Sequence, residues 1–191
     1  ETVTVRVRRL ARRHLEADLV GVDTPSPQRQ RPPCILAERC GGCSLQHCNA
    51  EAQNQIKTDL VQQALRRIGQ LDLLVDPIWS APAPLGYRNR ALIPLERSAD
   101  GPLRAGYYRR GSHRIVNMSR CPVLDPRIDS LIADVKADLE ATDWPVDVNL
   151  SGGGGLRHLA LRVGFHSGEV LITLVSSHER LPGLEALAQA W

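Results

Sequence analysis

The stretch Cys34-Ile35-Leu36-Ala37-Glu38-Arg39-Cys40-Gly41-Gly42-Cys43-Ser44-Leu45-Gln46-His47 places three cysteines within ten residues, with two glycines between the last pair. A fourth cysteine, Cys121, lies far downstream and is followed by Pro122. Glycine adopts backbone dihedrals that residues with a Cβ avoid, so the two glycines let the cysteines beside them point at one centre. Three cysteines on one loop and a remote Cys-Pro are typical of 4Fe-4S sites. The pattern therefore predicts a metal site.

Two other interpretations of the cysteines stay open on the residues alone. A structural zinc also uses a Cys-x-x-Cys knuckle with two further ligands. Disulfides are disfavoured, because five cysteines is an odd number, nothing resembles a signal peptide, and 191 residues with 42% apolar content can bury a core without cross-links. The fifth cysteine, Cys48, lies at the entry to a predicted helix, where we expect a small buried apolar residue rather than a ligand.

The overall charge favours a polyanionic partner. The formal net charge is +3, and arginine carries most of the positive charge, since Lys57 and Lys136 are the only lysines. The planar arginine fork suits bidentate contacts to phosphates and bases, although a GC-rich coding sequence would give the same bias. No run of 18 apolar residues exists, so we expect nothing that spans a membrane. We also expect no membrane partner, a monomer and a cytoplasmic localisation.

Alternating apolar and polar residues over 2–22 predict a β-hairpin. Its turn carries Arg9, Arg12 and Arg13, which are candidate RNA-phosphate contacts, and a solvated turn is the equal alternative. Two strands alone are only marginally stable, which indicates that the hairpin completes a small barrel whose first strands are missing. A proline-rich extended linker over 25–33 then leads to the cysteine loop.

Residues 50–68 show the 3.6-residue periodicity of a helix, with Asn49 as the N-cap and Gly69 as the stop. We expect its apolar face to be buried, namely Ala52, Ile56, Leu60, Ala64, Leu65 and Ile68. Residues 77–84 are predicted to form a loop.

A three-stranded β-meander is predicted over 86–95, 103–108 and 113–118, with a tight turn at Asp100-Gly101. Aromatic and arginine side chains alternate along it, as in surfaces that stack bases and bind phosphates, although a half-exposed sheet face has the same composition. The candidate RNA contacts in this region are Arg88, Arg90, Tyr108, Arg109 and Arg110.

The meander ends at Cys121, which would bring the fourth thiol back to the first three. A helix is then predicted from Pro126, with Asp125 as its N-cap. We expect its buried face to consist of Ile128, Leu131, Ile132, Val135 and Leu139. A short strand over 146–150, a glycine turn over 152–155, a hairpin of 156–163 with 169–176, and a helix from about 182 follow. The sum is an α+β fold, an antiparallel sheet with packed helices.

The chain contains no recognisable catalytic constellation. No glycine-rich strand–turn–helix for S-adenosylmethionine is present, the six histidines lack metal-ligand spacing, and no cysteine has a neighbouring base. On these grounds alone the chain is a metal-stabilised, arginine-rich module that touches RNA.

Four separated motifs nevertheless match a known family in order and spacing. They are the Cys34–His47 stretch, the run Tyr87-Arg88-Asn89-Arg90, the run from Gly106 to His113, and Cys121-Pro122. The chain resembles the bacterial RNA (uracil-5-)-methyltransferases, in particular the 4Fe-4S enzymes that form 5-methyluridine in 23S ribosomal RNA. The resemblance implies that a 4Fe-4S cluster is bound by Cys34, Cys40, Cys43 and Cys121.

The resemblance also implies a domain organisation. Residues 1–24 would be the C-terminal part of an OB-like TRAM barrel, 25–48 the linker and iron–sulfur cysteine loop, and 49–191 a central α+β domain that Cys121 closes. Family members continue into a Rossmann-like domain that holds S-adenosylmethionine, the nucleophilic cysteine and a general base. This chain stops before that domain, so we expect a segment that is inactive by itself. A free-standing, non-catalytic RNA-binding module with a structural zinc or iron–sulfur centre is the alternative.

Overall fold

The computed structural model describes residues 1–97, 101–149 and 155–191. The predicted turn at Asp100-Gly101 and most of the predicted glycine turn over 152–155 lie outside the described residues. The strands are β1 (Thr2–Leu10), β2 (Leu15–Thr24), β3 (Arg90–Arg97), β4 (Leu103–Ala105), β5 (Leu156–Val163) and β6 (Val170–Ser176). The helices are α1 (Ala50–Arg67), α2 (Pro126–Asp129), α3 (Leu131–Glu140) and α4 (Leu184–Ala190).

The chain divides into two compact units. The first, here called the hairpin unit, contains residues 1–31 and 45–79, and the second, the sheet unit, contains residues 32–44 and 80–191. The cysteine loop from Cys34 to Cys43 therefore belongs to the sheet unit, whereas α1 groups with the hairpin. The domain boundaries predicted at 24/25 and 48/49 stay a prediction.

The sheet unit is built on an antiparallel sheet with the strand order β4-β3-β5-β6. Strand β3 changes partner along its length, since residues 90–94 pair with β5 and residues 95–97 pair with β4. Pro94 lies at this changeover, where its missing N–H interrupts neither ladder, and its carbonyl accepts a hydrogen bond from Gly106. The antiparallel sheet with packed helices confirms the predicted combination of elements.

The core lies between this sheet and the two helices α2 and α3. Ile93 and Leu95 of β3 are fully buried, as are Leu159 and Leu161 of β5. The predicted helix face is confirmed by four of its members, because Ile128, Ile132, Val135 and Leu139 are buried and Leu131 is half-buried. Burying an aliphatic side chain of this size stabilises the fold by about 1.5–3 kcal/mol. This packing stabilises the sheet unit, whose connecting segments carry the candidate site.

Several elements of the sheet unit differ from the prediction. The strand predicted over 103–108 ends at Ala105, and the described part of the strand predicted over 146–150 forms only isolated bridges at Val146 and Asp147. The helix predicted from Pro126 is divided at Ser130 into α2 and α3. The third meander strand is reduced to an isolated bridge between Tyr108 and Ile115, because the backbone turns sharply between them. Asp125 is the N-cap of α2, as predicted, and accepts a hydrogen bond from the Arg127 N–H.

The hairpin unit confirms the predicted β1–β2 hairpin and the Asn49 cap of α1. The predicted burial of the α1 apolar face is wrong, because Ala52 is its one buried member and Leu60 is 64% exposed. The unit offers α1 a two-stranded hairpin and loops, which supply little apolar surface. The predicted linker is also more than a spacer, since Arg29 pairs with Cys48 through a β-bridge.

Within residues 1–97, 101–149 and 155–191, no helix combines the length and the apolar character that crossing a membrane requires.

Candidate functional site

The cysteine loop is folded by local hydrogen bonds and anchored by one apolar side chain. Ala37 donates to the Cys34 carbonyl at 3.2 Å, and Cys40 donates to the Leu36 carbonyl at 2.8 Å. These bonds wind residues 34–40 into tight turns, which bring the first two cysteines onto one short arc. The half-buried Leu36 side chain packs against the core of the sheet unit. Leu36 thus anchors the cysteine loop to the hydrophobic core of the sheet unit.

The loop then lies directly on the backbone of residues 108–110. Cys40 forms a β-bridge with Arg109, and the Gly41 N–H donates to the Tyr108 carbonyl at 2.9 Å. A Cβ on Gly41 would lie 2.9 Å from the Tyr108 oxygen and 3.1 Å from the Arg110 nitrogen, both of which are backbone atoms. Only glycine allows this approach without a backbone shift.

Hydrogen bonds of Cys121 and of the following residue, Pro122, fix this part of the backbone. Its N–H donates to the Asp129 carboxylate of α2, and its carbonyl accepts from Leu124 at 2.9 Å. The next carbonyl, that of Pro122, accepts from Gly86 at 3.0 Å. Cys121 is therefore fixed where the end of the meander meets α2.

The four predicted ligand thiols are electrostatic neighbours. Burial is the main cause that raises the pKa of Cys121, and the negative charges of Cys43 and Cys34 raise it further. The pKa of Cys40 is also raised, first by burial and then by the same two thiolates. Cys34 and Cys43 thus lie near enough to Cys40 and Cys121 to influence their pKa values. Burial and the neighbouring sulfurs therefore favour the neutral thiol at Cys40 and Cys121.

Backbone N–H groups face two of these sulfurs. The Gly42 N–H donates to the Cys40 Sγ at 3.4 Å. The N–H groups of Val123 and Leu124 bond the Cys121 thiolate and lower its pKa, against the larger effect of burial. Such donors are typical partners of metal-bound thiolates, because they stabilise the charged form of the sulfur.

Among the described residues, no group of three or more His, Cys, Asp and Glu side chains is placed to hold one metal ion. Cysteine sulfurs are donors that both a zinc ion and a 4Fe-4S cluster use. The assignment of four metal ligands stays a prediction, namely Cys34, Cys40, Cys43 and Cys121.

Tyr107 and Arg88 lie beside the thiols. Burial is the first cause that raises the pKa of Tyr107, and the Cys121 and Cys40 thiolates contribute. Arg88 donates a hydrogen bond to the Tyr107 hydroxyl and opposes the rise. The sequence analysis did not select Tyr107, although it lies next to the selected Tyr108.

A cavity of about 400 Å³ opens next to the cysteine loop. Four of the five RNA contacts predicted in the meander region line it, namely Arg88, Tyr108, Arg109 and Arg110. Gly41 and Gly42 of the cysteine loop form part of the same wall. The fifth predicted contact, Arg90, is an exposed residue of β3 that pairs in register with Arg162 of β5.

The remaining predicted RNA contacts belong to the hairpin unit. Arg12 and Arg13 are exposed in the turn between β1 and β2, where Ala11 donates to the His14 carbonyl at 2.9 Å. Arg9 lies 3.8 Å from Glu16 across the hairpin, and its side chain is 71% exposed. An exposed ion pair of this length contributes little stability. The three arginines are accessible to a polyanion.

A second cavity of about 670 Å³ contains arginines that the sequence analysis did not select. Its basic residues are Arg39, Arg104, Arg109 and Arg114. Arg109 lines both cavities. Arg39 directly precedes Cys40 in the sequence. This position could have indicated that Arg39 lies at the candidate site.

Comparison with known proteins gives a consistent set of relatives, although no protein-family model matches the chain. An uncharacterized RNA methyltransferase of Parasynechococcus marenigrum is 55% identical over 166 residues, which are 87% of this chain and 36% of that protein. Uncharacterized RNA methyltransferases of Nostoc and Synechocystis are 45% and 44% identical over 192 residues, covering 100% of this chain and 42% of each relative.

One solved structure is also similar to the chain. It is the Pyrococcus abyssi tRNA (uracil-54, C5)-methyltransferase in complex with S-adenosyl-L-homocysteine, with a TM-score of 0.62 and 28% identity. The match covers 95% of this chain and 40% of that one. The chain is thus similar over nearly its whole length to proteins named RNA methyltransferases, and it spans about two fifths of their length.

Proposed function

We propose that this chain is part of an S-adenosylmethionine-dependent RNA (uracil-5-)-methyltransferase, to which it contributes a 4Fe-4S site and a surface that positions RNA. One observation carries the proposal: proteins named RNA methyltransferases are up to 55% identical to it across 87–100% of its residues. The likeness to a uracil C5 methyltransferase supports the reaction type. S-adenosylmethionine would bind in the remainder of the parent enzyme, and the segment alone would be inactive.

The proposed cluster ligands are Cys34, Cys40, Cys43 and Cys121. The convergence of these thiols within the sheet unit supports the assignment. When bound, the cluster would neutralise the thiolates and cross-link two segments almost 80 residues apart in sequence. Closing a loop of this length stabilises a fold by about 4 kcal/mol on a chain-entropy estimate. The proposed role is structural.

The proposed substrate is a uridine of 23S ribosomal RNA, which would be converted to 5-methyluridine. Transfer RNA is the second candidate, because the structurally similar Pyrococcus abyssi enzyme is a tRNA (uracil-54, C5)-methyltransferase. The exposed arginines at the hairpin tip and around the two cavities would meet either RNA through its phosphates, which carry no sequence information.

Anaerobic purification of the chain tests the cluster directly, with iron, sulfide and zinc assays and a visible absorption spectrum. We expect a brown protein with about four irons and four sulfides per chain. A colourless protein with one tightly held zinc would favour the free-standing RNA-binding module. A metal-free protein with paired thiols would overturn the metal site.

A chimeric enzyme tests the reaction and the substrate. The chain replaces the matching stretch of the Synechocystis relative, which it covers over 192 residues. The chimera is incubated with labelled S-adenosylmethionine and transcripts of 23S ribosomal RNA or tRNA, and nucleosides are identified by mass spectrometry. We expect 5-methyluridine in the ribosomal transcript. Methylation of tRNA alone would select the second candidate, and methylation of neither, with the native relative active in parallel, would contradict the proposed function.

A further inference from the structure

We propose that the groove formed by Arg39, Arg104, Arg109 and Arg114 binds the phosphodiester backbone of RNA. These arginines line the cavity of about 670 Å³ in the sheet unit. The inference rests on the proposed function and adds to it a specific RNA-contacting surface.

The backbone brings the four arginines together from separate segments. The Arg109 N–H donates to the Arg114 carbonyl at 2.9 Å across a tight turn, in which Gly111 has a φ of +67°. Residues directly opposite in an antiparallel pair project their side chains to the same face. Arg39 joins them because the neighbouring Cys40 forms a bridge with Arg109, and Arg104 comes from β4.

The charge of the groove is strongly unbalanced. Among the residues that the structure describes, its lining contains four arginines and one carboxylate, that of Glu96. Glu96 lies 3.4 Å from Arg104, whose side chain is 50% exposed. A surface pair of this kind contributes at most about 1 kcal/mol, so a phosphate can compete for the guanidinium. The groove therefore keeps an excess of positive charge, which a bound anion would neutralise.

The surroundings of the groove favour RNA as the source of that anion. Arg109 also lines the neighbouring cavity, where Tyr108, Arg88 and Arg110 are found. A row of guanidinium groups that continues past an aromatic side chain fits a strand of alternating phosphates and bases. Arginine forks bind phosphate oxygens in a bidentate manner, which gives these contacts a defined geometry.

The test measures RNA binding by the anaerobically purified chain. Fluorescence anisotropy with a labelled, uridine-containing single-stranded RNA is recorded over a range of KCl concentrations. The groove variant is Arg39→Gln/Arg104→Gln/Arg114→Gln. We expect an affinity about tenfold weaker or more, and a slope of log affinity against log salt that is smaller by about 2, since each single-strand phosphate contact contributes about 0.7.

The matched control is Arg66→Gln/Arg67→Gln/Arg180→Gln, which removes three exposed arginines outside the groove. Both triple variants lower the formal net charge of +3 by three. The control is expected to bind within about twofold of the wild type. Equal weakening in both variants would show diffuse attraction to charge and would overturn the groove.

A lysine variant distinguishes the loss of arginine–phosphate contacts from misfolding of the glutamine variant. Arg39→Lys/Arg104→Lys/Arg114→Lys keeps the charge and loses the fork, so we expect the salt slope of the wild type with weaker binding. A groove variant with the wild-type affinity and slope would overturn the inference, as would a wild-type chain that binds no RNA. The first result would leave the proposed function untouched, whereas the second would also remove its RNA-positioning part. The iron, sulfide and chimera assays decide the cluster and the reaction separately.

Discussion

At Gly41 the cysteine loop packs closely against the backbone of residues 108–110. A Cβ there would meet two backbone groups, the Tyr108 carbonyl at 2.9 Å and the Arg110 nitrogen at 3.1 Å. At the next residue, Gly42, a Cβ would lie in ordinary contact, 3.5 Å from the Cys40 Sγ. We expect Gly41→Ala to destabilise the sheet unit by about 1–3 kcal/mol and to lower its iron content. Gly42→Ala is the matched control and should retain both; equal losses in thermal melts and iron assays would contradict the proposed docking.

Cys121 should be indispensable for the cluster, because it is the one proposed ligand outside the loop. We expect Cys121→Ser to lose the iron and to lower the melting temperature of the sheet unit, since the long-range cross-link disappears. Cys48→Ser is the control, as Cys48 belongs to the hairpin unit and lies outside the proposed ligand set. Full iron content and an unchanged melting temperature in Cys121→Ser would remove Cys121 from that set.

At the level of elements, the Asp125 carboxylate at the start of α2 should make the free energy of unfolding depend on pH. Hydrogen bonds from the Arg127 side chain and backbone lower the pKa of Asp125 from 3.8 to about 2. A carboxylate with a lowered pKa in the folded state stabilises the protein above pH 3.8, and this contribution is lost as the pH falls through about 2.

We therefore expect Asp125→Asn to have a shallower loss of stability than the wild type between pH 4 and pH 2. Asparagine caps helices about as well as aspartate, so the two proteins should unfold at similar urea concentrations near neutral pH, which is the internal control. Parallel curves for the urea midpoint against pH would show that the Asp125–Arg127 pair does not survive in solution.

The hairpin tip is a second element with a testable charge. We expect Arg9→Gln/Arg12→Gln/Arg13→Gln to weaken binding of single-stranded RNA and to reduce the salt slope by about 2. These side chains are exposed. The ion pair between Arg9 and Glu16 is too long and too solvated to prevent Arg9 from binding a phosphate. The Arg66, Arg67 and Arg180 triple variant again serves as the control. An unchanged slope would assign the turn to solvated surface.

The elements that the sequence predicts best are those with local determinants. Asn49 and Asp125 cap helices because a short polar side chain reaches its own backbone, whatever the tertiary context. The exposed α1 face shows the limit, since the 3.6-residue period of Leu60 and its neighbours indicates an amphipathic helix but not what covers it. The sequence does not predict the groove for a similar reason: Arg39 and Arg114 are 75 residues apart in sequence, and long-range contacts such as the Cys40–Arg109 bridge bring their segments together.

For the whole molecule, all four proposed ligands belong to the sheet unit, whereas α1 and the hairpin belong to the other unit. Removing the iron should therefore act on one unit selectively. We expect chelation under anaerobic conditions to speed hydrogen–deuterium exchange in residues 34–43 and 105–124, because the loop loses its link to Cys121. Exchange in α1 should stay unchanged, which provides a control within the same sample.

The Cys121→Ser variant, treated with the same chelator, separates loss of the cluster from damage by the reagent. Its exchange before treatment should already equal that of the chelated wild type, and the chelator should change nothing further. Faster exchange in both units of the wild type would mean that the cluster supports the whole chain rather than the sheet unit. Unchanged exchange at 34–43, with the iron gone, would show that backbone contacts such as Gly41 to Tyr108 hold the loop without a metal.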